Sequence, residues 1–193
     1  MRHFILTIML LMFSWCICNA QSEHIKFKGI SIKGSVNAFV DSIKAKTPSY
    51  EVIQIFDGKG AIISGTFAGI DSCKICPVVK KNTNDVYRVM VIFPTYKSWN
   101  ILMREYYKLQ QSLSKKYGAP TACIEDDVVC GEDSKFKYLY YKDSRFITCY
   151  ENENGKIRLF ISPENYYSGS IILTYSNKEE ETIDAYEEAY NDI

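Results

Sequence analysis

The chain opens on an uninterrupted apolar run at residues 4–18, and its hydrophobic period changes several times beyond that run. Residues 24–28 alternate as a short strand. After Gly34-Ser35, the apolar residues Val36, Phe39, Val40 and Ile43 share one helical face; Ser35 supplies the N-cap and Pro48 closes the region. Four strand-like runs follow, at 51–56, 61–67, 73–79 and 86–93. Asp57-Gly58 marks a tight turn between the first two.

Pro94 ends this series, and a long helix is predicted over 98–117. Its stripe is Trp99, Leu102, Met103, Tyr106, Leu109 and Leu113, opposite Asn100, Arg104, Lys108, Gln111 and Lys115. Gly118 and Pro120 stop it. Strand-like runs resume at 121–128, 136–141, 146–151, 157–162 and 170–176, with Asn154-Gly155 as a turn. Asn177 and Glu180 have capping-box spacing and open an acidic helix with Ile183, Tyr186 and Tyr190 on one face.

Hairpins following a helix, twice, predict an α+β fold with antiparallel sheet. The expected organisation is a signal peptide at 1–20, helix-plus-four-strand (αβ4-type) units at 21–95 and 96–176, and a C-terminal acidic helix at 177–193. This element order resembles the architecture of the β-lactamase-inhibitor-protein group, a likeness of fold that transfers no function.

The opening run carries the targeting signal. Arg2 gives a positive start, residues 4–18 form a 15-residue uncharged stretch, and Cys18-Asn19-Ala20 sets small residues before Gln21. This is the layout of a cleaved secretory signal, and it is shorter than the ~20 residues of a membrane span. An exported protein, periplasmic or extracellular, is expected, with no membrane span after cleavage. Lipid anchoring at Cys16 or Cys18 is the lesser alternative, since neither is preceded by residues that suit lipoprotein processing.

Cleavage leaves 173 of the 193 residues, with 22 basic and 23 acidic side chains. This near-neutral balance gives no basic footprint for nucleic acid. Five cysteines remain: Cys73, Cys76, Cys123, Cys130 and Cys149. Export permits disulfides, and Cys123 with Cys130 is the candidate pair, flanking an expected strand-to-strand loop.

Catalytic chemistry finds little support. His24 is the only histidine after cleavage, so a positioned imidazole base is missing for most Ser-His and Cys-His mechanisms. Cys73 and Cys76 have redox spacing, but they sit in a strand-like run, where positions three apart face opposite sides. A single Cys-x-x-Cys does not make a zinc site, and no metal or cofactor is expected. Glu125-Asp126-Asp127 and Glu179-Glu180-Glu181 are acidic clusters. They motivate the alternative of a carboxylate-dependent hydrolase acting on glycan or cell-wall material.

The 15 tyrosines point elsewhere. Read as a strand, residues 136–141 put Phe136, Tyr138 and Tyr140 on one face and Leu139 and Tyr141 on the other. The expected contact surface is a sheet face bearing Tyr138, Tyr140, Tyr150, Tyr166 and Tyr167, because tyrosine joins a large apolar body to a polar tip. The leading expectation is a non-catalytic binding module for a protein or glycan partner; the sequence assigns no oligomeric state.

Local wording carries a second resemblance. His24-Ile-Lys-Phe-Lys-Gly-Ile, Gly65-Thr-Phe-Ala-Gly, Val86-Tyr-Arg-Val-Met-Val-Ile-Phe-Pro and the run from Tyr106-Tyr-Lys-Leu to Lys116-Tyr-Gly-Ala-Pro are similar to exported proteins of Bacteroides-type bacteria. The resemblance implies export and no catalytic residues.

Overall fold

The computed structural model describes residues 25–81, 83–126, 129–142 and 145–177. The signal segment with Cys16 and Cys18, His24, Asp127 and the acidic segment after Asn177 lie outside the described residues. No described helix is long and apolar enough to cross a membrane.

The fold is α+β, with three helices and a dominant eight-stranded antiparallel sheet among the described residues. A two-residue hairpin comes first, β1 (Lys26–Phe27) and β2 (Ile30–Ser31). Helix α1 (Val36–Lys46) follows, and the Ser35 side chain accepts a hydrogen bond from the Ala38 amide at its start. Then come β3 (Glu51–Ile55), β4 (Ala61–Phe67), β5 (Ile70–Val79) and β6 (Val86–Ile92). Between β3 and β4, Asp57 and Gly58 both take positive φ, 42° and 75°, as the expected tight turn requires.

Helix α2 (Trp99–Tyr117) is capped by the Ser98 side chain and ends at Gly118. It buries Trp99, Leu102, Tyr106, Leu109 and Leu113, and Met103 packs at the margin of the core. The remaining elements are β7 (Ala122–Asp126), α3 (Glu132–Tyr140), β8 (Arg145–Asn152), β9 (Gly155–Asn165) and β10 (Ser168–Asn177).

Helix α3 corrects the sequence reading, which made residues 136–141 a strand. Glu132 and Asp133 occupy its first turn, where acids suit the helix dipole. Phe136 and Leu139, three apart, become its buried pair. The apparent alternation over six residues was a short helix with aromatics on both its buried and its exposed side.

The strand order is β3-β4-β5-β6-β10-β9-β8-β7, so the two meanders meet edge to edge through β6 and β10. The pairing registers align residues in rows. One row runs Val52, Ile63, Ile75, Val91, Leu173, Leu159, Thr148, Cys123. This face meets the helices. Its buried apolar members join the core cluster that also takes in Val36 and Phe39 of α1, Leu102 and Tyr106 of α2, Phe136 of α3 and Phe27 of β1. The opposite face carries Ile92, Ile172, Phe160, Ile147 and Ile124 in one row, none of them in that cluster.

Candidate functional site

Four tyrosines gather at one end of the sheet. Tyr140 and Tyr141 end α3, and Tyr166 and Tyr167 form the turn between β9 and β10. The Tyr140 ring stands edge-on to Tyr166, with centroids 4.7 Å apart and planes at 79°. Tyr141 lies 5.5 Å from Tyr166 and 5.8 Å from Tyr140. Tyr167 meets Tyr166 at 6.4 Å. These spacings fall in the range of favourable aromatic pairs. All four are exposed, from 38 % for Tyr166 to 75 % for Tyr167.

Both supporting elements are anchored. Phe136, one helical turn before Tyr140, packs edge-on against Trp99 at 5.4 Å. It also lies against Gly169, just past the turn. Gly169 exchanges two backbone hydrogen bonds with Tyr96. Within the turn, the Asn165 side-chain oxygen accepts from the Tyr167 amide at 2.8 Å, the local bond that makes asparagine a turn former. The hydroxyls of Tyr141 and Tyr166 share a hydrogen bond at 3.2 Å. That bond, the nearby Tyr141 hydroxyl and slight desolvation raise the Tyr166 pKa.

Of the five tyrosines expected to share a surface, Tyr140, Tyr166 and Tyr167 come together. Tyr138 is half-buried on α3. Tyr150 is a core residue of β8, 3 % exposed. Its hydroxyl donates to the Gln110 carbonyl at 2.9 Å and meets the Ser114 hydroxyl at 2.9 Å. The clustered tyrosines therefore lie not on a sheet face but on a helix end beside a hairpin turn. Tyr141 was missed because a strand reading turned it away from Tyr140; a helix end lets adjacent residues face the same patch. The acids before Phe136 were the signal for that helix.

A second polar group sits between α2 and the β7 edge. Tyr106 and Thr148 hydroxyls are 2.8 Å apart and buried. Gln110 donates to Thr148 at 3.0 Å. The Cys123 thiol lies 3.4 Å from a Glu125 carboxylate oxygen and 3.7 Å from Thr148. Burial pushes the Cys123 pKa up, and Glu125 adds to this while the Thr148 and Gln110 hydrogen bonds oppose it. The group thus favours the thiol over the thiolate at Cys123.

The other cysteines follow the same logic. All five, Cys73, Cys76, Cys123, Cys130 and Cys149, are free thiols. The expected Cys123–Cys130 disulfide is not made: Cys123 faces α2, and the chain beyond β7 leads into a helix rather than directly into a paired strand. Cys73 and Cys76 lie on β5, on opposite faces, and burial raises both pKa values. A redox pair at a helix start has the reverse arrangement.

Of the acidic cluster at 125–127, the described Glu125 and Asp126 lie on β7 and do not face each other. Glu125 accepts from Tyr107 at 3.2 Å on the helix side, while Asp126 pairs with Arg145 at 2.8 Å on the other. Glu179, Glu180 and Glu181 lie outside the described residues. A concavity lined by Ile25, Tyr117, Tyr150 and Ile157 encloses about 20 Å³, room for about one water. Among the described residues, no group of three or more His, Cys, Asp and Glu side chains is placed to hold a metal ion. No protein-family model, curated protein or solved structure matches this chain.

Proposed function

We propose that this chain is an exported, non-catalytic binding module, and that Tyr140, Tyr141, Tyr166 and Tyr167 form its contact surface for a protein or glycan. One observation carries the reading: four exposed tyrosine rings in mutual contact on two anchored elements. Exposed clusters of large aromatic side chains mark interaction sites. Tyrosine suits that role because its ring is rigid and its hydroxyl bonds to polar groups on a partner. The terminal run at residues 4–18 supports export to the periplasm or beyond. Each half of the chain joins a long helix to four strands, which supports two αβ4-type units, the second interrupted by α3; Asn177, expected to open an acidic helix, is instead the last residue of β10, paired with Gly155.

Glu125 and Asp126, the described acids behind the hydrolase alternative, turn to opposite faces and lend it no support. The test compares residues 21–193 with the Tyr140→Ala/Tyr166→Ala/Tyr167→Ala variant on a glycan array and against candidate partner proteins. A ligand bound by the wild type and lost by the variant supports the reading. Ligands bound equally by both overturn it.

A further inference from the structure

The groups around the tyrosine cluster share one chemical bias: they offer protons. The Tyr140 and Tyr167 hydroxyls bond to none of the described residues, and both rings are exposed. Tyr141 and Tyr166 spend one of their two hydroxyl protons on each other, so one O–H of that pair remains. The Asn165 side-chain oxygen accepts from the Tyr167 amide at 2.8 Å. With its oxygen held inside the turn, Asn165 has its NH2 group left for a ligand.

A cation completes the set. Lys137 lies one helical turn before Tyr140 and Tyr141, on the same side of α3. The Tyr141 contacts, with slight desolvation, raise the Tyr166 pKa, and the Lys137 ammonium opposes them from nearby. Lys137 is exposed. It makes no ion pair with Asp133, one turn earlier, or with any other described residue.

The acid nearest the turn in sequence points elsewhere. Glu164 precedes Asn165, and one of its carboxylate oxygens accepts from the hydroxyls of Thr95 at 2.7 Å and Ser170 at 2.6 Å. Gly169 faces Phe136 of α3, so strand alternation turns Ser170 to the other face of the sheet. Glu164 follows it there, which leaves the α3 side to the donors and Lys137.

We infer that this cluster binds an acidic glycan, one whose sugar rings carry carboxylate or sulfate groups. The inference rests on the tyrosine surface proposed above and names its ligand class. An oxyanion accepts from hydroxyl, amide and ammonium donors at once, and hydrogen bonds to ionised groups are the stronger ones. The exposed tyrosine rings give a sugar ring a rigid, flat seat with polar tips beside it. Size favours a glycan over a protein. A stable protein interface takes about 20–30 residues a side, whereas the four tyrosines, Asn165 and Lys137 match a few sugar rings.

The test titrates residues 21–193 with polygalacturonate, dextran sulfate and neutral dextran by calorimetry. One acidic polymer is expected to bind about tenfold more tightly than dextran, the worth of one charge-assisted hydrogen bond. Which of the two binds better tells carboxylate from sulfate. Lys137→Gln should weaken that binding about threefold or more, since glutamine keeps a neutral donor. Asn165→Asp keeps the oxygen that accepts from Tyr167 but replaces the NH2 group by a second oxygen, and it too should weaken binding. Both positions are exposed, and circular dichroism checks the fold of each variant. Unchanged affinity in both variants overturns the inference. Dextran bound as tightly as the acidic polymers, and lost only in Tyr140→Ala/Tyr166→Ala, overturns it while the tyrosine surface stands. An acidic polymer bound equally by the wild type and every variant overturns both. Binding of a protein partner through the tyrosines, with no polymer bound, overturns the inference alone.

Discussion

Gly169 lies against the ring of Phe136. A Cβ at position 169 would stand 3.3 Å from that ring and 2.9 Å from the Ser162 carbonyl oxygen. This contact seats α3 on the start of β10 and so brings Tyr140 and Tyr141 to Tyr166. Gly169→Val is expected to cost about 1–3 kcal/mol, the usual range for overpacking. It is also expected to weaken ligand binding by moving α3. Urea denaturation reads the first effect, and binding measured at full folding reads the second.

Tyr106 and Thr148 form the buried hydrogen bond between α2 and β8. Thr148→Val leaves the Tyr106 hydroxyl buried without that partner. The expected loss is about 1–3 kcal/mol, larger than the ~1 kcal/mol expected for Tyr106→Phe. In the Tyr106→Phe variant, Gln110 still donates to Thr148. Thermal unfolding of the two variants checks the order.

Burial pushes the pKa of Tyr106 and Tyr175 well above the ordinary tyrosine range. The unfolded chain loses these protons near pH 10, while the folded chain keeps them. Above that pH the folded state holds more protons, so stability falls as pH rises. It is fully present below about pH 10. Replacing Tyr106 by Phe should make the alkaline decline shallower by up to about 1.4 kcal/mol per pH unit. Denaturant midpoints measured from pH 8 to 11 test this.

Glu125 holds the Cys123 thiol proton in place together with burial. Glu125→Gln removes the carboxylate and lowers the thiol pKa. Alkylation of Cys123 at pH 8 should then be faster than in the wild type, by about the gain in thiolate fraction. An unchanged pH profile for this cysteine would contradict the assigned contact.

Much of the fold was legible where the local signals agreed. Ser35 and Ser98 cap α1 and α2 as their positions suggest, and both helices bury the stripes that their spacing marks. Asp57-Gly58 makes its turn through positive φ at both residues. The failure at α3 was one of competing periods. Phe136, Tyr138 and Tyr140 fit a two-residue repeat, while Phe136, Leu139 and Tyr140 fit a helical one, and only packing against Trp99 and Gly169 selects the second. Tyr150 shows another limit. Its composition suits a surface, but the polar tip finds Gln110 and Ser114 inside. The union of Tyr141 with Tyr166 depends on tertiary docking that no local pattern encodes.

The central claim is that the tyrosine cluster is the contact surface. The direct measurement is the dissociation constant of a ligand bound by residues 21–193, for single variants Tyr140→Ala, Tyr166→Ala and Tyr167→Ala. The folded control is Tyr87→Phe, half-buried on β6. At an interface centre, loss of an aromatic anchor costs about 2 kcal/mol or more. The account predicts at least tenfold weaker binding for two or more of the cluster variants, with the control unchanged. Wild-type affinity in all three cluster variants would contradict it.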